Sequence, residues 1–98
     1  MTVSIYVENK SNNSLDLSNG GACAFFAALK IPHDSRYTEG SIDPTLLLKL
    51  LENKCVTTDQ KEALEGYGVD EKVFNAFVAT LDKFAKQAKT LNRKVMWS

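Results

Sequence analysis

The chain has 98 residues, with 12 basic and 12 acidic side chains, one histidine, no net charge, 44% hydrophobic residues and two cysteines. A chain of this size buries a core without metals or staples, and ordinary apolar content with no net charge excludes disorder. Two cysteines cannot build a disulfide framework.

No apolar run reaches the roughly 20 residues that span a bilayer. The longest, Ala22 to Leu29, stops at Lys30. The N-terminus, Met-Thr-Val-Ser-Ile-Tyr-Val-Glu, has neither the basic start nor the small-residue cleavage site of a signal peptide. The sequence therefore predicts one domain over residues 1–98, placed in the cytoplasm. There thiols stay reduced, and Cys23 and Cys55 read as free and buried.

In residues 2–8, Val3, Ile5 and Val7 alternate with Thr2, Ser4, Tyr6 and Glu8, the period of a half-buried strand. Asn9 to Asn13 is turn chemistry, and Ser14 to Leu17 resumes the alternation with Leu15 and Leu17 inward. The two runs predict a β-hairpin. Ser18 or Asn19 caps the next element, a charge-free helix through Leu29 that ends before Pro32. A helix apolar all round is buried on several sides. Residues 32–42 have no clear period and read as a loop.

Asp43-Pro44 opens a helix, since Asp caps it and Pro suits its first turn. Leu46, Leu47, Leu50 and Leu51 form its apolar face, Leu48 widens that face, and Asn53 ends it. Thr57 and Gln60 have the spacing of a capping box, which opens a short helix stopped by Gly66 or Gly68. Asp70 caps the last helix, with Val69 stapled onto Phe74. Phe74, Phe77, Leu81, Phe84, Ala88 and Leu91 mark its buried stripe, and Asn92 ends it. Val95-Met96-Trp97 predicts a third strand, added to the hairpin by the returning chain. The whole is an α+β fold: an N-terminal β-hairpin plus a short C-terminal strand forming a small sheet, packed by three to four helices.

No motif assembles a catalytic or cofactor site. Gly20-Gly21 lies between a strand and a helix, but no Lys-Ser or Lys-Thr follows to make a phosphate loop. The glycines read instead as permitting a sharp turn and close helix–sheet contact. Cys23, Cys55 and His33 lack metal-ligand spacing. The sequence predicts no metal and no cofactor.

Charge is unevenly placed. Residues 1–71 hold 6 basic and 11 acidic side chains, whereas residues 72–98 hold 6 basic and 1 acidic. Lys83, Lys86, Lys89, Arg93 and Lys94 define a basic face that either contacts an acidic partner or phosphates, or is simply solvated. His33, Asp34, Arg36 and Tyr37 form a second candidate surface, because Tyr and Arg are favoured in binding hot spots.

Three features together resemble a loose group of small bacterial and phage proteins of unknown function. They are Leu15-Asp16-Leu17-Ser18-Asn19 before a small-residue helix, Gly40-Ser41-Ile42-Asp43-Pro44 before a leucine-rich helix, and a long final helix closing in Val95-Met96-Trp97. The resemblance implies a phage or mobile-element origin and carries over no activity or site residue.

The leading expectation is a non-enzymatic module that binds another protein, in the form of a phage-type modulator or inhibitor of a host factor. Its candidate partner-binding residues are His33, Arg36, Tyr37, Lys83, Lys86, Lys89 and Arg93. The alternative is nucleic-acid binding through the basic C-terminal helix. An enzyme ranks last, and no membrane contact is expected.

Overall fold

A computed structural model describes residues 2–10, 13–33 and 39–98. The order of elements is β1 (Thr2–Val7), β2 (Ser14–Ser18), α1 (Asn19–Leu29), β3 (Gly40–Ile42), α2 (Pro44–Glu52), α3 (Thr58–Gly66), α4 (Glu71–Leu91) and β4 (Val95–Trp97). This is the α+β class that the alternation and helical periods predict.

β1 and β2 form the expected hairpin, with Val3 opposite Leu17 and Ile5 opposite Leu15. β4 pairs antiparallel with β1, so the returning chain does join the hairpin. The sheet gains a fourth strand that the sequence reading placed in a loop. β3 pairs antiparallel with β4, which gives the order β2-β1-β4-β3. β3 has three residues and only Ile42 is buried, so no period of two can show in its sequence. Its pairing is tertiary, with Gly40 opposite Trp97. A Cβ at residue 40 would sit 2.5 Å from Trp97 Cζ2, so glycine is what admits the indole.

The helices cover one face of the sheet. Val3, Ile5, Val7, Leu17, Ile42, Val95 and Trp97 point into that side and are buried. The alternate positions, among them Thr2, Asp16 and Ser41, stay exposed on the other. Phe25 of α1 is fully buried at the centre, edge-on to Phe74 at 5.6 Å and Phe77 at 5.9 Å between ring centroids. Phe26 lies 4.8 Å from Trp97, so the aromatic cluster ties α1 to both α4 and β4.

Local signals set the helix ends. Ser18, Asp43, Thr57 and Asp70 each accept backbone N–H bonds in a first turn. The capping box is complete: Gln60 N–H donates to Thr57 Oγ1 and Thr57 N–H donates to Gln60 Oε1. Three helices end alike. Lys30, Gly68 and Asn92 take φ of 60°, 81° and 56°. The next residue in each case donates its N–H back to Phe26, Leu64 or Ala88, closing a Schellman turn.

Several expectations are corrected. Cys23 is only half-buried and Cys55 is exposed, because Cys55 falls in the α2–α3 connection rather than on a helix face. Leu46 and Leu91 belong to the predicted stripes yet are 43% and 39% exposed. Leu91 is in the last turn of α4, and Leu46 is turned away from the Leu47 and Leu51 side of α2. At Gly20 the closest approach is to the Tyr67 side chain. A Cβ there would lie 2.3 Å from the Tyr67 ring, so the glycine makes room for the α3–α4 connection.

Candidate docking groove

α2 leaves the sheet from β3, and α4 enters it at β4. β3 and β4 are antiparallel neighbours, and α2 packs against α4, with the C-terminal part of α2 beside the stretch of α4 from Asn75 to Lys86. Asp43 caps α2, with Oδ2 accepting from Thr45 and Leu46, and so fixes which leucines face α4. Leu47 and Leu51 are buried, while Leu48 and Leu50 stay half-buried on the flanks. α4 mirrors this with Val73, Phe77 and Val78 half-buried beside its core stripe.

Two adjoining hollows result. One, of about 270 Å³, lies between the start of α4, α3 and the α2–α3 connection. Val56, Leu64, Val69 and Phe74 line its apolar part. The other, of about 630 Å³, is a shallower trough between α2 and α4 over Leu48, Leu51, Val78 and Ala79. Lys54 and Asn75 border both, so the hollows adjoin and are treated as one groove. The Lys54 ammonium donates to the Leu51 carbonyl at 3.4 Å, at the C-terminal end of α2, where the helix dipole favours a cation.

The rim carries charge of both signs with acids in excess. Glu52, Glu65, Asp70, Glu71 and Asp82 face three lysines, Lys54, Lys61 and Lys86. Two acids are engaged locally. Asp70 accepts the Val73 N–H at 2.8 Å as the α4 cap, and Asp82 pairs with Lys86 at 2.8 Å.

The candidate residues from the sequence are dispersed. His33 is exposed just after α1, with its ring 5.5 Å from Phe26 and its Nδ1 2.9 Å from the Ile31 carbonyl. Asp34, Arg36 and Tyr37 lie outside the described residues. Lys83, Lys86 and Lys89 are exposed on α4, but each step of three turns back about 60° around a helix, so they do not stack on one line. Arg93 is half-buried, and its Nη1 donates to the Glu8 carbonyl at 3.5 Å, which ties the end of α4 to the β1–β2 turn. Among the described members of the set, only Lys86 borders the groove. Reading the sequence missed Leu48, Lys54, Phe74 and Val78 as surface-forming residues. The available signal was the five leucines of α2, more than one buried face uses.

Other chemistry-bearing groups stay apart. Among the described residues, no three His, Cys, Asp or Glu side chains come close enough to hold a metal ion. On the open sheet face, Ser4 and Ser14 hydroxyls donate to Asp16 Oδ1 at 2.7 and 2.9 Å. These bonds hold the Asp16 carboxyl below its ordinary range, Ser4 contributing most, so it stays ionised.

Comparison of the chain with protein-family models, curated proteins and solved structures found no match. The groove is therefore read on its own geometry.

Proposed function

We propose that the chain is a non-enzymatic protein-binding module that engages its partner at the groove between α2, α3 and α4. One observation carries this reading: half-buried Leu48, Val56 and Val78 line the two adjoining hollows together with charged side chains. An apolar floor with a polar rim is the anatomy of a docking surface. The reading places the chain in the cytoplasm, and the resemblance to phage proteins makes a host factor the partner class to look for.

The test compares affinity purification from the native host with wild-type chain and with Leu48→Glu and Val78→Glu, each checked for an unchanged circular dichroism spectrum. A charge on the floor should remove the partner, since an unpaired buried charge costs several kcal/mol. A partner that both variants retain overturns the reading.

A second reading draws on the exposed Lys83 and Lys89 in the C-terminal half of α4 and Lys94 just after it. It makes the chain a nucleic-acid binder, and it predicts binding that collapses as salt rises. A gel-shift assay at low salt with duplex DNA and single-stranded RNA decides it. No shift for either removes this reading.

A further inference from the structure

We infer that the occupant of the groove is a cationic amphipathic helix presented by the partner; this rests on the docking reading above and adds the partner's chemistry. Three observations carry it.

The first is the walls. Along α2 and α4 the main-chain groups are spent inside the helices, so an extended peptide laid between them finds no ladder to join. A helix arrives with its own backbone bonds made and needs only side-chain contacts.

The second is spacing. Along α4 the first hollow is bordered by residues 71–75 and the second by residues 75–86. Their midpoints are roughly seven residues apart, or about 10 Å at the rise of an α-helix. That is the i to i+7 repeat of a docking helix, which places one apolar anchor in each hollow with Lys54 between them.

The third is charge. The Asp82–Lys86 pair neutralises itself, which leaves Glu52, Glu65, Asp70 and Glu71 against Lys54 and Lys61. The rest of the stretch from 52 to 71 adds two more acids, Asp59 and Glu62, and no further base. Such a rim attracts a basic segment and repels an acidic one.

The experiment titrates the full chain with three synthetic peptides and follows backbone and methyl NMR shifts. The first peptide is a helix of roughly five turns with leucines at i and i+7 and lysines on its polar face. The second replaces those lysines with glutamates. The third keeps the lysines but carries a central proline that breaks the helix. The cationic helix should bind at least about tenfold more tightly than its acidic twin, with shifts at Leu48, Phe74 and Val78. Glu52→Lys with Glu65→Lys should reverse that preference. Both positions are near helix C-termini, where a cation is tolerated. Lys83→Glu should leave the preference in place. If the acidic or proline-broken peptide binds the groove as well as the cationic helix, the helix inference falls and the docking reading stands. If none of the three shifts groove residues, the helix inference falls, and the docking reading is decided by the purification from the native host.

Discussion

Gly40 and Trp97 show how a single atom can be excluded by a residue far along the chain. A Cβ at position 40 would meet Trp97 Cζ2 at 2.5 Å and Cε2 at 2.6 Å, and the indole is 4% exposed with Phe26 behind it. Gly40→Ala should therefore destabilise the fold by about 1–3 kcal/mol, the usual cost of overpacking, measured as a lower urea midpoint. No reading of residues 32–42 alone reveals this, because the constraint is set in β4. Asp16 is the opposite case, with every cause nearby in the hairpin. Its carboxyl is held low by the Ser4 and Ser14 hydroxyls, so its folded form binds a proton less readily than its unfolded form. The stability this gives is present above the ordinary aspartate range and is lost as pH falls through the folded value. Ser4→Ala should move the Asp16 titration upward toward the ordinary value, and by more than Ser14→Ala does. A carbon-detected NMR titration showing no upward movement would sink this account.

Helix ends were readable because their causes lie within three residues of one another. Asp43, Thr57 with Gln60, Asp70 and Asn92 all sit where their spacing placed them. β3 and the groove were not readable, since both depend on which elements become neighbours. The basic face of α4 could be listed from the sequence, but Arg93 turning inward to Glu8 could not. Among the helices, α3 depends most on its local bonds. Leu64 is its one buried residue, and Gln60 also reaches the Ala27 carbonyl of α1 at 3.4 Å. Thr57→Ala should cost about 1 kcal/mol and speed amide exchange over residues 60–64 before the rest of the molecule opens. At the end of α1, Lys30 holds a left-handed conformation that strains any side chain. Lys30→Gly should raise stability by about 0.5–1 kcal/mol, read as a higher thermal midpoint.

The last strand to be made is one of the two in the middle of the sheet. β4 bridges β1 and β3, and Ser98 extends the pairing, with reciprocal backbone bonds to Ser4 at 2.9 and 3.0 Å. Without it β3 has no partner, and the antiparallel set of α2 against α4 loses the pairing that imposes it. The groove thus depends on three residues that line neither hollow. Removing residues 95–98 should abolish cooperative unfolding, since it takes away Val95 and Trp97 from the core and the ladders to β1 and β3. Trp97→Ala should cost about 3–5 kcal/mol, the range for a large aromatic lost from a packed interior. Met96 separates a core effect from a sheet effect, because it shares the strand but points to the open face. Met96→Thr keeps the ladder and a β-prone side chain, and it should leave both stability and groove binding close to wild type. If Met96→Thr unfolds the chain as readily as Trp97→Ala, the open face carries stability that its exposure does not suggest, and the assignment of the core to one side of the sheet is wrong.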